Sequence, residues 1–200
     1  MIKFPPQFNI PTQIFNIPKF LDKSEILNLS QKLKKIPYEK GVIDVGEEGG
    51  VGILNSSIRK SKVKWIPQSS SFNWLYNKLI NQIQQTNSTS YKFDILGAPE
   101  MIQYTEYSSQ DKDHYNWHID LGEEFTCFRK ISISILLSSP KEFEGGDLEF
   151  MTFNENSKKI APKNLGNITI FPSFIPHRVT PVIKGTRRSL VMWVGGKPFK

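Results

Sequence analysis

His118-Ile119-Asp120 sets an imidazole and a carboxylate two residues apart, and two residues is the repeat of an extended strand. Both side chains can then leave one face of one strand and reach one metal ion. A second imidazole, His177, follows far down the chain, after the apolar run Ile168-Thr169-Ile170-Phe171 and Pro172-Ser173-Phe174-Ile175-Pro176. Two imidazoles and a carboxylate can cover one face of an octahedral Fe(II) and leave the other face open. Ten residues beyond His177 stands Arg187, a permanent cation whose planar fork matches a carboxylate.

Taken singly, each of these has a plain structural explanation. A histidine beside a carboxylate is ordinary surface chemistry, His177 alone fits a hydrogen-bonded core histidine, and Arg187-Arg188 fits a solvated basic turn. The conjunction carries the weight. Of three histidines in the chain, two fall at the edges of expected strands, where such a site needs them. The third, His114, lies in a loop and is read as a surface residue rather than a fourth ligand.

The elements that must position these groups are mostly strands. Signals for them cover Glu100 to Tyr107, Lys130 to Leu137, Asp147 to Phe153, Asn167 to Phe171 and Ser189 to Val194. Ile131, Ile133, Ile135 and Leu137 alternate with Ser132, Ser134 and Ser138, as a half-buried strand does. Pro140, Gly145-Gly146, Pro162, Gly166, Pro172, Pro176 and Gly185 separate the runs. Many short strands in succession imply a double-sheet jelly roll, a double-stranded β-helix of cupin-like form. Ahead of it comes a first strand, Gln13 to Ile17. A helix follows, with Asp22 and Glu25 at capping-box spacing and Ile26, Leu29, Leu33 and Ile36 at helical intervals. A second helix, Ser71 to Gln85, aligns Trp74, Leu75, Leu79 and Ile83. The fold class is mainly β with supporting helices. The expected organisation is one domain over 1–200, in which 1–99 supplies helices, first strands and a lid loop and 100–200 the metal-binding core.

Between the helices, Gly46-Glu47-Glu48-Gly49-Gly50-Val51-Gly52 has the glycine density of a phosphate loop but lacks its Gly-Lys-Ser/Thr. The segment Gly41 to Lys64 is read as a mobile hairpin with a lid role. Arg59 within it is assigned to pairing with Glu47 or Glu48 in preference to substrate contact.

Two hundred residues suffice for one hydrophobic core. Cys127 is the single cysteine, so no intramolecular disulfide exists and a reducing compartment fits. No signal peptide or membrane-spanning stretch is evident, which gives a soluble, cytoplasmic expectation. The net charge is +7, yet the lysines are scattered, with Lys32, Lys34 and Lys35 on a helix and Lys158 and Lys159 in a loop, and carry no strong nucleic-acid signal.

From Gln103 onward the chain resembles the prolyl 4-hydroxylase-type 2-oxoglutarate/Fe(II) dioxygenases, especially small bacterial and phage members. The resemblance runs through Gln103-Tyr104-Thr105-Glu106-Tyr107, Tyr115-Asn116-Trp117-His118-Ile119-Asp120 and Glu144-Gly145-Gly146-Asp147-Leu148. It continues through Phe171-Pro172-Ser173, His177-Arg178-Val179-Thr180-Pro181-Val182 and Gly185-Thr186-Arg187, leading to Trp193. It implies Fe(II) held by His118, Asp120 and His177, with 2-oxoglutarate as cosubstrate, O2, and ascorbate as a possible reductant. It also implies that Arg187 and the Tyr107 hydroxyl hold the C5 carboxylate of 2-oxoglutarate, and that Trp193 and Trp117 are packing residues lining the site. The implied reaction releases succinate and CO2 while hydroxylating a substrate, a peptidyl and above all prolyl one. One departure is Ser-Ser-Gln-Asp-Lys-Asp-His at 108–114, where the family has a glycine turn bordering the substrate entrance. Hydroxylation of a free amino acid or small molecule is the alternative within the enzyme class. A nucleic-acid dealkylase is disfavoured because no second arginine follows Arg188, and a catalytically inactive jelly-roll binding protein because it has no need of all four site residues.

Overall fold

The computed structural model describes residues 12–41, 55–151 and 158–198. Its strands are β1 (Phe15–Ile17), β2 (Glu39–Lys40), β3 (Arg59–Lys60), β4 (Lys62–Ile66), β5 (Ile95–Gly97), β6 (Ile102–Ser108) and β7 (His114–His118). They continue with β8 (Arg129–Leu136), β9 (Phe143–Gly145), β10 (Leu148–Met151), β11 (Lys158–Ile160), β12 (Ile168–Pro172), β13 (His177–Val179) and β14 (Val182–Gly196). The helices are α1 (Lys23–Leu33) and α2 (Asn73–Thr86).

All the strand pairs are antiparallel and fall into two sheets, as a jelly roll requires. The larger runs β1-β12-β8-β14-β6-β4-β2, with β5 and β9 also paired to β14, and the smaller runs β11-β10-β13-β7-β3. Both helices pack on the outer face of the larger sheet. There Leu29, Leu33, Leu75, Leu79 and Ile83 join Ile131, Ile133, Ile135, Leu190 and Met192 in one cluster. The capping box of α1 is formed: Glu25 N–H donates to Asp22 Oδ1 at 2.8 Å and Asp22 N–H to Glu25 Oε2 at 2.9 Å. Buried Lys64 closes the other end by donating to the Leu33 carbonyl at 2.8 Å, a cation on the negative pole of the helix. The inner face meets the smaller sheet through Tyr107, Leu136, Phe143, Leu148, Phe150, Phe171, Val179 and Val182.

Period-two alternation in β6 and β14 sorts their residues between these two layers. Ile102 and Tyr104 and, across the ladder, Leu190, Met192 and Val194 enter the helix-side core. Gln103, Thr105 and Tyr107, with Arg187, Ser189, Val191 and Trp193, line a cavity between the sheets. The serines of β8 correct the expectation of a solvent-facing side. Ser132 is wholly buried, its hydroxyl 2.9 Å from that of Ser173, and Ser134 lines the cavity.

Three further expectations change. Gly185 does not end a strand, because β14 runs through it, paired with β9 before and with β6 and β8 after. Lys158 and Lys159 open a strand instead of lying in a loop. Residues 59–64 are not hairpin loop either: β3 joins the smaller sheet through β7, and β4 the larger through β6. Residues 42–54, including Glu47 and Glu48 and the expected lid, lie outside the described residues.

Gly185 has φ +71, and a Cβ there would stand 1.9 Å from the Glu142 carbonyl oxygen. No other residue fits both conditions. Gly185→Ala is therefore expected to destabilise the fold by about 1–3 kcal/mol. A urea titration checks this through a lower midpoint at unchanged slope, and an unchanged midpoint would refute it.

Candidate active site

β7 and β13 pair so that His118 lies directly opposite His177, which brings the two imidazoles together across one ladder. Their ring centroids are 4.2 Å apart. Each ring is fixed from behind by a backbone carbonyl two residues earlier. Nδ1 of His118 donates to the Asn116 oxygen at 2.7 Å, and Nδ1 of His177 to the Ile175 oxygen at 2.9 Å. A carbonyl can only accept, so the proton sits on Nδ1 and each Nε2 presents its lone pair forward. Burial, reinforced by the neighbouring His177, pushes His118 down to about 3, so its ring is neutral.

Asp120 faces both lone pairs. Its Oδ1 is 3.6 Å from Nε2 of His118 and its Oδ2 is 3.5 Å from Nε2 of His177. Burial pushes this carboxylate up, but the two imidazoles and the Arg129 guanidinium outweigh that and hold it below its ordinary value. Asp120 is not on the strand, however. β7 stops at His118, and Asp120 is hung from the opposite chain: its N–H and that of Leu121 donate to the Ser173 carbonyl at 2.9 and 3.0 Å. Arg129 clamps the same segment by donating to the Asp120 carbonyl at 3.2 Å. Glu100 holds Arg129 through Nε at 3.0 Å and through Nη2, and the Trp193 ring lies 4.1 Å beneath the guanidinium.

Three donor atoms from His118, Asp120 and His177 thus lie within 4.8 Å of one another. Two imidazole nitrogens and one carboxylate oxygen, with their outer partners satisfied, fit a divalent transition metal. His114 takes no part. Its ring nitrogens sit 3.0 Å from the Lys112 oxygen and 3.3 Å from the Ser57 oxygen.

Arg187 and Tyr107 are register partners in the β14–β6 ladder, both buried, with the guanidinium 5.6 Å from the Tyr107 ring centre. Arg187 Nη1 donates to Ser189 Oγ at 2.9 Å. Burial raises the Tyr107 phenol above its ordinary value, against the pull of Arg59 and Arg187, so it remains a hydroxyl donor. Arg188 points the other way, to Glu106 at 3.3 Å. His118, Asp120, His177, Tyr107 and Arg187 all line the one cavity.

Of the two tryptophans expected there, Trp193 lines the cavity and Trp117 does not. Trp117 lies under Arg178 at 4.8 Å and Lys158 at 5.9 Å instead. Trp117 adjoins His118, so alternation alone turns it to the other face. A bulge adds Tyr115 to the inner one: two steps of β13 (His177 to Val179) oppose three steps of β7 (His118 to Tyr115), so Tyr115 and His118 share it. Their rings stack at 3.5 Å. The turn ahead of β7 has Lys112 in the left-handed region at φ +52. Sequence reasoning did not single out Ser173, Arg129 and Glu100, since backbone acceptors and clamps carry no motif. Gln103, Thr105 and Ser189 were legible in principle, by parity with Tyr107 and Arg187.

Residues 102–195 match the family model of the 2OG-Fe(II) oxygenase superfamily. A PKHD-type hydroxylase of Gloeothece citriformis is 24% identical over 184 residues, covering 90% of this chain and 77% of its own. Among solved structures, a Trichoplax adhaerens prolyl hydroxylase, described with a peptide fragment of the hypoxia inducible factor oxygen degradation domain, superimposes with TM-score 0.72. It is 19% identical over 92% of this chain and 83% of that one. A Pseudomonas putida prolyl-4-hydroxylase gives TM-score 0.67 at 18% identity over 93% and 94% of the two chains. Among the described residues no helix is long and apolar enough to cross a membrane. The stretch 102–195 is a 2OG-Fe(II) oxygenase domain, and the chain that carries it is a 2-oxoglutarate- and Fe(II)-dependent dioxygenase similar to the prolyl 4-hydroxylases.

Proposed function

We propose that the enzyme hydroxylates a prolyl residue of a peptide, with release of succinate and CO2, and that His118, Asp120 and His177 hold its Fe(II). The observation that carries the reading is that the buried donor triad and the buried Arg187–Tyr107 pair open onto a single cavity. The likeness to prolyl hydroxylases supports the choice of substrate class. When bound, Fe(II) supplies the oxidation that couples cleavage of 2-oxoglutarate to hydroxylation. The protein's own part is placement. Arg187 presents a fixed charge and parallel N–H donors to the distal carboxylate of 2-oxoglutarate, and the Tyr107 hydroxyl donates beside it. The Nδ1–carbonyl bonds keep both imidazoles aimed, and the aromatic walls of Phe171 and Trp193, with Phe150 packed against His177, exclude water. The single cysteine, which leaves no intramolecular disulfide to form, supports a cytoplasmic setting.

Metal uptake tests the triad. The protein is expected to take up about one equivalent of Mn(II) as a redox-silent surrogate, and Asp120→Ala and His177→Ala to lose it while melting as the parent does. Full uptake by His177→Ala would sink the assignment. Turnover of prolyl peptides but not of free amino acids, followed by succinate release, supports the peptidyl reading, and the reverse pattern overturns it.

The neighbouring arginines provide a matched control for the cosubstrate. Arg187→Ala is expected to weaken apparent 2-oxoglutarate affinity on the order of a hundredfold, the equivalent of roughly 2–3 kcal/mol for a charged hydrogen bond in a pocket. Arg188→Ala, which breaks only a half-exposed contact with Glu106, should cost far less. Equal losses, read from succinate release against 2-oxoglutarate concentration, would mean that the other arginine is involved.

A further inference from the structure

Gln103 is 4% exposed and lines the site cavity from β6. Its neighbours turn its amide one way. Arg59 Nη2 donates to Oε1 at 2.8 Å, and Thr105 Oγ1 donates to the same atom at 3.1 Å. A guanidinium can only donate, so the atom it meets is the carbonyl oxygen, and the NH2 group faces away from both. The two Nε2 hydrogens have no acceptor among the described residues. A second neutral donor lines the same cavity. Trp193 is 6% exposed, and its Nε1–H likewise has no acceptor among the described residues. Donors in that state inside a protein are uncommon and point to acceptors supplied by a ligand.

The cosubstrate does not account for Gln103. This residue lies four places along β6 from Tyr107, roughly 13 Å at the rise of a strand. A five-carbon dicarboxylate held at Arg187 and Tyr107 spans only about half of that. At the other end, the Arg59 guanidinium that bonds Gln103 lies 4.9 Å from the Tyr115 ring centre, and that ring stacks on His118. Gln103 therefore stands level with the proposed metal ligands, where the primary substrate must bring its reacting group.

We propose that the Gln103 NH2 group donates to an amide carbonyl oxygen of the primary substrate. This rests on the functional reading above and deepens it by naming a residue that recognises the peptide bond. An uncharged donor suits an uncharged acceptor, since a carbonyl loses far less hydration on entering the cavity than a charged group does. With Oε1 committed to Arg59 and Thr105, the amide cannot turn to offer an acceptor instead, so a substrate N–H at this point is refused. The carbonyl can belong to the residue before the proline or to the proline itself.

The test uses the full chain with Fe(II) and 2-oxoglutarate and two pairs of prolyl peptides. Within each pair one carbonyl oxygen is replaced by sulfur, a weaker acceptor, before the proline in one pair and on the proline in the other. The wild type is expected to favour oxygen in one pair by on the order of tenfold in kcat/KM, the size of one hydrogen bond. The pair that shows the preference identifies the carbonyl. Gln103→Met should bring that ratio close to one. Gln103→Glu should do the same while keeping an oxygen for Arg59 and Thr105, and it carries the test if Gln103→Met does not fold. Mn(II) uptake in both variants, and the KM for 2-oxoglutarate in Gln103→Met, should stay at parental values. A merely structural glutamine would lower turnover of oxygen and sulfur peptides alike. Equal loss on both members of a pair, a preference that survives the substitutions, no preference in the wild type, or a raised KM for 2-oxoglutarate in Gln103→Met would each overturn the proposal. If no peptide turns over, the same comparison is made with prolinamide and its thioamide. A Gln103-dependent preference there would refute the peptidyl reading and leave this one standing, and its absence would refute both.

Discussion

A sheet covered on both faces has no water into which to send its polar residues. That constraint governs the larger sheet here. α1 and α2 pack on its outer face, and its polar residues divide: Lys64, Glu106 and Arg188 keep to that side, while Gln103, Thr105, Ser134, Arg187 and Ser189 lie between the sheets. There they give a largely apolar layer one polar flank. The buried guanidinium of Arg187 is tolerable only in such surroundings, where Ser189 takes one of its donors and the Tyr107 ring faces another side.

The groups proposed to hold the metal obey a stricter rule. An imidazole that can rotate or tautomerise is a poor ligand, and both are prevented here by the simplest available acceptor, a main-chain carbonyl two residues upstream. The same device is used at both histidines although they sit on different strands, because both lie at strand ends, where the chain bends enough for Nδ1 to reach back. Asp120 is the only anion of the trio, and the site as a whole is primed for a cation.

Much of this was legible in the sequence. The two-residue repeat in β6, β8 and β14, the capping box of α1 and the conjunction of His118, Asp120, His177 and Arg187 all follow from local patterns, and the structure brings the last four together. The parts that escaped are those for which local pattern and tertiary need diverge. His-x-Asp was read as one straight strand, but the strand ends at His118 and the carboxylate is positioned by Ser173, whose carbonyl carries no sequence signature. The bulge in β7 turns Tyr115 inward alongside His118, which strict alternation cannot foresee. Gly185 looked like a terminator because glycine usually is one; in β14 it provides the positive φ that lets one strand serve two neighbours. Serines read as a wet face were buried because the second sheet, invisible to any local window, covers them.

The suspension of Asp120 by its backbone separates architecture from chemistry. The backbone hydrogen bonds that hold the segment run from its amide and that of Leu121 to Ser173, and from Arg129 to its carbonyl, so none of them is made by its carboxylate. A lineage descended from such a chain could exchange this one side chain and keep the whole scaffold, Arg187 and the cavity included. Proteins of this shape can therefore lose the ability to oxidise while continuing to recognise what they once modified, and such a transition needs only a single codon.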